Sequence, residues 1–204
     1  MKTMRFTISC VLLATCLLGT ASCVDSRPVH YYTLLTPPAP VPQGAPDGRT
    51  LLVSNVAVIT ELQDGRLRYR VGSNEVGAYQ FHRWAERPGM MVSVSLMRAL
   101  RTSGKYRSVE ASGSSVIGDY LLHGKLYEFD EVDGLAIQTR ISLHLALEDL
   151  KTRRDVWDHL LERTEPVTSK NVNGVVQSLD RNLQAVASQA AQEIDRVLCG
   201  QNKR

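Results

Sequence analysis

Ile137-Gln138-Thr139-Arg140-Ile141-Ser142-Leu143-His144-Leu145-Ala146-Leu147 decides the fold class. Every odd position carries an aliphatic or β-branched side chain, while the even positions carry Gln, Arg, Ser, His and Ala. A strand sends successive side chains to opposite faces, so this segment has one covered and one wetter face. Asp133-Gly134 precedes it as a hairpin signal, with 119–131 as the strand before the turn. A charged turn at Lys151 to Asp155 leads to Val156 to Thr164, where Trp157, His159 and Leu161 share a face and Pro166 ends the run. Residues 118–164 are therefore expected to form a three-stranded antiparallel meander.

Upstream, Thr50 to Ile59 reads as a single, largely buried strand. Asp64-Gly65 is a second hairpin signal. After it Leu67, Tyr69 and Val71 alternate with Arg66, Arg68 and Arg70, a strand with one buried and one cationic face. Glu75 to His82 adds another strand. Pro88-Gly89 opens a helix over Met90 to Thr102, its apolar face drawn by Met90, Val94, Met97 and Leu100, and Ser103-Gly104 stops it. Tyr106 to Ala111 is a brief strand. Near the end, Asn171 or Asn173 caps a helix of about 174–198, roughly 37 Å long. Its stripe of Val172, Val176, Leu179, Leu183, Val186, Ala190, Ile194 and Val197 is suited to covering a sheet. The expected fold is α+β: a mostly antiparallel sheet with two amphipathic helices covering one face, a single domain over 30–199, with a polar tail at 200–204.

The chain has 204 residues, 43% hydrophobic and 22% charged, enough for one packed domain. Lys and Arg number 24 against 21 Asp and Glu. Two of those cations, Lys2 and Arg5, precede the apolar run Phe6 to Leu18; without them the remainder carries +1, which gives no electrostatic case for nucleic-acid binding. A basic start, a 13-residue apolar run and the small residues Thr20-Ala21-Ser22 make the three-part layout of a secretory signal over 1–22. The apolar run is shorter than the ~20 residues needed to cross a bilayer. Residues 23–29 form a tether of which the six after Cys23 reach about 20 Å at most. His30 to Leu35 is rich in strand formers, and the loop 36–48 is stiffened by prolines; six of the eight prolines fall between residues 28 and 46.

Catalytic chemistry has little to stand on. His30, His82, His123, His144 and His159 lack a second ligand at metal-binding spacing, and no phosphate loop or nucleophile elbow is present. Glu128, Asp130, Glu131 and Asp133 read as a solvated acidic face near a turn, with weak cation binding as the alternative. No cofactor is expected beyond a covalent lipid. Cys199 follows the helical stripe and reads as a small core-edge residue, with an intermolecular disulfide as the alternative.

Leu17-Leu18-Gly19-Thr20-Ala21-Ser22-Cys23 resembles a bacterial lipobox, which makes Cys23 the lipidation site and the new N-terminus. Thr20 departs from the usual leucine, Cys16 is a weaker competitor, and a plain secretory signal is the other reading. His30-Tyr31-Tyr32-Thr33-Leu34, Leu67 to Val71, the segment Tyr79 to Pro88 and Gly118 to Phe129 together resemble the ABC-type transport auxiliary lipoproteins over 23–199. Tyr-x-x-x-x-Trp-Ala-Glu-x-Pro, here Tyr79, Trp84, Glu86 and Pro88, is the most specific piece. The resemblance implies a non-enzymatic accessory of a lipid-transport machine, in which an inner-membrane ATPase and permease act with a periplasm-spanning mammalian-cell-entry (MCE) domain protein whose distal end the lipoprotein receives. Trp84 is either a packing residue between strand and helix or an exposed partner contact; packing is preferred because it stands just before a helix start. Val24-Asp25-Ser26 lacks an aspartate directly after Cys23, which points to the outer membrane's periplasmic leaflet, with the periplasmic face of the inner membrane as the alternative. Association of several copies stays open. A structural envelope lipoprotein that stabilises another outer-membrane complex, without lipid cargo, is the competing function.

Overall fold

The structure, a computed structural model, describes residues 27–35, 47–72 and 74–201. The signal segment, Cys23, the first tether residues and the proline-rich stretch 36–46 lie outside the described residues. Among those described, the strands are β1 (His30–Tyr32), β2 (Thr50–Val53), β3 (Ala57–Val58), β4 (Arg66–Val71), β5 (Glu75–Trp84), β6 (Ser108–Ala111), β7 (Tyr120–Asp133), β8 (Gln138–Asp149) and β9 (Arg154–Pro166). The helices are α1 (Pro88–Ser103) and α2 (Val172–Gln201).

The expected meander is present: β7 pairs antiparallel with β8, and β8 with β9, with Leu122 opposite Leu147 and Leu147 opposite Trp157. The other edge of β7 is shared end to end by three strands that all run parallel to it. β2 takes residues 120–122, β3 takes 125–126 and β4 takes 130–133. β6 extends the sheet beyond β2, while β5 and then β1 extend it beyond β4. The fold is α+β as read from the sequence, in a mixed sheet whose long ladders are antiparallel. Both helices cover one face.

Several local expectations change. Thr50 to Ile59 is broken at Ser54–Val56, because the Val56 N–H donates to the Ser93 hydroxyl of α1 (2.9 Å) instead of to a neighbouring strand. Asp64-Gly65 is not the hairpin. The Asp64 carboxylate accepts from the Arg66 N–H (2.9 Å) in a tight local turn after the 3-10 segment Thr60–Leu62. The true hairpin joins β4 to β5 just after Val71, where Gly72 has φ 59°.

The α1 face is also rotated from expectation. Met91, Val92, Leu96 and Leu100 are buried, whereas Met90 and Val94 are exposed. Two stripes keep helical spacing, and the seat of the first turn chooses between them. A Cβ on Gly89 would lie 2.1 Å from the Val56 carbonyl oxygen, so only glycine lets this turn rest on the strand break. Ser93 then faces the carbonyls of Gly89 (2.8 Å) and Ser54 (3.1 Å) while it accepts from Val56.

The expected stripe of α2 does meet the sheet, and Asn171 is its cap: its side-chain oxygen accepts from the Gly174 N–H (2.9 Å). Polar pairs fix its docking, since Asn182 donates to the Thr139 hydroxyl (2.8 Å) and Ser178 lies 2.7 Å from the same oxygen. The helix runs on to Gln201, into the expected tail. Cys199 is exposed, not core-edge, because Leu198 takes the buried position of that turn.

Candidate functional site

The site begins with alternation along β4, β5 and β7. On the helix-side face, Tyr69 of β4 lies between Gly77 of β5 and Glu131 of β7 in register. A Cβ on Gly77 would fall 2.3 Å from the Tyr69 ring, so the missing side chain makes room for that ring. Tyr79 stands beside it, edge-on at 5.3 Å between centroids, and donates its phenol proton to the Glu131 carboxylate (2.7 Å). Burial, and then this hydrogen bond, push the Tyr79 phenol well above its ordinary value. Burial also raises Glu131, although the Tyr79 donor opposes that rise. His82 meets Tyr79 edge-on at 5.5 Å, stacks on His30 at 5.3 Å and shares a 2.8 Å hydrogen bond with the Tyr32 hydroxyl.

At the end of β5, Trp84 is 4% exposed and packs on Phe129 at 5.2 Å. Its indole nitrogen is buried without a partner among the described residues. Pro88 is buried at the first position of α1, where a missing N–H costs nothing. Of Tyr79, Trp84, Glu86 and Pro88, then, Trp84 and Pro88 stand at the joint between sheet and helix, while Tyr79 ties β5 to β7. Glu86 alone stands exposed, beside exposed Arg87. A cleft of about 500 Å³ opens next to this joint, between the strand break and the start of α1; Asn55, Gln63, Arg87 and Met90 lie along it. Val56, Val58 and Leu62 line the same cleft.

The opposite face of the sheet carries charge. Arg68 and Arg70 were expected to form a cationic face and the β7 acids a solvated one. Instead they meet. Arg68 lies 3.5 Å from Asp130, Arg70 lies 3.4 Å from both Asp130 and Glu128, and Arg140 lies 2.7 Å from Glu128. Asp130 is 1% exposed and Glu131 is buried on the other face, because the acids occupy a long strand rather than a turn. Burial raises Asp130, and the two arginines counter it.

The sequence reading missed Glu131 as the partner of Tyr79, and it missed Gly89 and Ser93 as the seat of α1. Pro88-Gly89 carried a signal for the seat; nothing local linked positions 79 and 131. Cys23 lies outside the described residues. Arg27 does not: its guanidinium sits 6.0 Å over the Phe81 ring, which keeps the exposed segment before β1 alongside β5.

The sequence profile described as ABC-type transport auxiliary lipoprotein component matches residues 32–191. The chain belongs to that family. This transport auxiliary lipoprotein is therefore a membrane-anchored envelope protein associated with an ABC-type transport system. Its fold is similar to that of a Xanthomonas campestris protein of the DUF330 family, at 20% identity and a TM-score of 0.73, over 87% of this chain and all of that one. It is also similar to a solved protein described as uncharacterized, at 17% identity and a TM-score of 0.65, over 82% of this chain and 99% of that one. At such identities the likeness concerns fold alone. None of the curated proteins matches the chain.

Proposed function

We propose that this auxiliary lipoprotein is a non-enzymatic, outer-membrane component of an ABC/MCE-type intermembrane lipid transport system. It is anchored by lipid on Cys23 and receives the distal end of the periplasm-spanning MCE protein. The observation that carries the reading is the family match over nearly the whole folded domain, residues 32–191. The packing is consistent with an accessory role: Tyr79, Trp84 and Pro88 are engaged in packing, and the exposed remainder, Glu86 with Arg87 and the neighbouring cleft, forms a surface for protein contact. Substrate lipid need not touch this domain.

The test is a pull-down of the tagged full chain from detergent-solubilised envelope, with the captured proteins identified. Recovery of an MCE-domain protein, with the ATPase and permease behind it, is expected. Recovery of an outer-membrane complex lacking all three would replace this reading with that of a structural envelope lipoprotein. Cys23→Ala should release the domain into the soluble periplasm, and density fractionation should place the wild type with outer-membrane markers. Co-fractionation with inner-membrane markers would overturn the distal-receptor geometry.

A further inference from the structure

The direction of β1 limits where the anchor can arrive. β1 runs parallel to β5, with His30 opposite His82, so the chain before His30 heads back towards the start of β5 at Glu75. Arg27 over Phe81 shows the segment still following β5 three residues upstream. Cys23 lies seven residues before His30, and seven residues along β5 before His82 is Glu75. Seven residues span at most about 23 Å, so Cys23 stays within that distance of His30, a range that includes the start of β5.

Two hairpin tips meet there. Val71 is paired with Glu75 across one and with Asp133 at the foot of the other. Val71 and Val76 are 40% and 46% exposed, and Leu135, at the tip between β7 and β8, is fully exposed. Val71 shares the face of Tyr69 and Val76 the face of Arg70, so the two valines flank this end of the sheet from opposite sides. The charges nearby do not suit an anionic surface: Glu75 is exposed, and Arg70 is held by Glu128 and Asp130.

We infer that Val71, Val76 and Leu135 form a membrane-contacting edge, which rests in the headgroup layer of a zwitterionic leaflet while the lipid on Cys23 holds it there. This inference rests on the anchor reading above. Partition of apolar side chains into the interface adds to the affinity of the acyl chains and fixes the domain's orientation. β7 then runs towards the membrane with its Asp133 end nearest the surface, and the loop with exposed Val116 and Ile117, ahead of Tyr120, lies at the far end.

Fluorescence in phosphatidylcholine vesicles carrying the acylated full chain tests the orientation. Leu135→Trp and Ile117→Trp place a reporter at either end, each in an exposed loop where the substitution leaves the core intact. Buried Trp84 and Trp157 supply the background, read from the wild type. L135W should shift to the blue and lose emission when the acyl chains are brominated, and I117W should do neither. Unquenched L135W in a protein whose intact mass shows acylated Cys23, or quenching of I117W instead, overturns the orientation and leaves the anchor reading standing. An unacylated Cys23 ends both, and the mass measurement alone reveals it.

Discussion

The phenol of Tyr79 on β5 donates to the carboxylate of Glu131 on β7 at 2.7 Å, reaching past the intervening strand β4. One side chain thereby clamps three strands and holds a buried acid. Tyr79→Phe removes the donor and keeps the ring. The loss is expected to be about 1–3 kcal/mol at neutral pH, the cost of a buried polar group left unpaired. Burial already raises Glu131, so its protonated form is favoured in the fold and the charged form bears the penalty. The gap between wild type and Y79F should narrow as pH falls through the carboxylate range. Urea unfolding at pH 7 and at pH 4.5 checks both statements; an equal gap at both values would show that Glu131 is not the group concerned.

Trp84 offers a direct contrast between core and contact. Its indole N–H has no partner among the described residues, so Trp84→Phe removes no hydrogen bond and retains an aromatic against Phe129. W84F should cost much less than Trp84→Ala, for which about 3–5 kcal/mol is expected. Capture of partner proteins by W84F should match that by wild type. A stable W84F that fails to capture them would make Trp84 a contact residue after all.

Gly89→Ala should be among the most damaging of small substitutions. The new Cβ would stand 2.1 Å from the Val56 carbonyl oxygen, and backbone cannot step aside as a side chain can. About 1–3 kcal/mol of overpacking is expected, read as a lower urea midpoint at unchanged slope. Glu86→Ala, three residues earlier and exposed, should leave the midpoint where it is.

Alkaline unfolding should report on Tyr106. Burial, reinforced by its hydrogen bond to Asp195, raises this phenol far above its ordinary value of 10. The native state therefore keeps the proton while the unfolded chain releases it. Stability is fully present below pH 10 and falls as pH climbs beyond it, by up to about 1.4 kcal/mol per pH unit for one such group. Tyr106→Phe loses a hydrogen bond at neutral pH but should flatten this decline. An unchanged alkaline slope in Y106F would assign the decline to other groups, Tyr79 first among them.

Legibility followed the range of the interactions. The alternation from Ile137 to Leu147 gave the meander because period and burial are local properties of one strand. The α2 stripe was readable for the same reason. The α1 face was not: two stripes satisfied the helical period, and the choice was made by Gly89 meeting Val56, a contact between segments 33 residues apart. The pairing of Arg68 and Arg70 with the β7 acids was hidden likewise, since it depends on β4 lying parallel to β7 across 62 residues of chain. Asp64-Gly65 misled because an Asp side chain can close a turn on its own N–H neighbours without any strand pairing behind it. Of the candidate site, Tyr79, Trp84, Glu86 and Pro88 could be singled out in the sequence, whereas the packing of Tyr79 on Glu131 and of Trp84 on Phe129 could not.

Because β2, β3 and β4 all share one edge of β7, the order of assembly is constrained. The pair β4–β5 and the pair β2–β6 can each begin to form from sequence already made, yet neither has a common frame until residues 120–133 arrive. Contacts of such long sequence separation slow folding and leave unpaired edges open meanwhile. A chain delivered N-terminus first therefore exposes more than half its length as loose pieces before one strand gathers them. β7 acts as the late keystone, and a chaperone that shields the earlier strands would have its work finished at the moment Asp133 emerges.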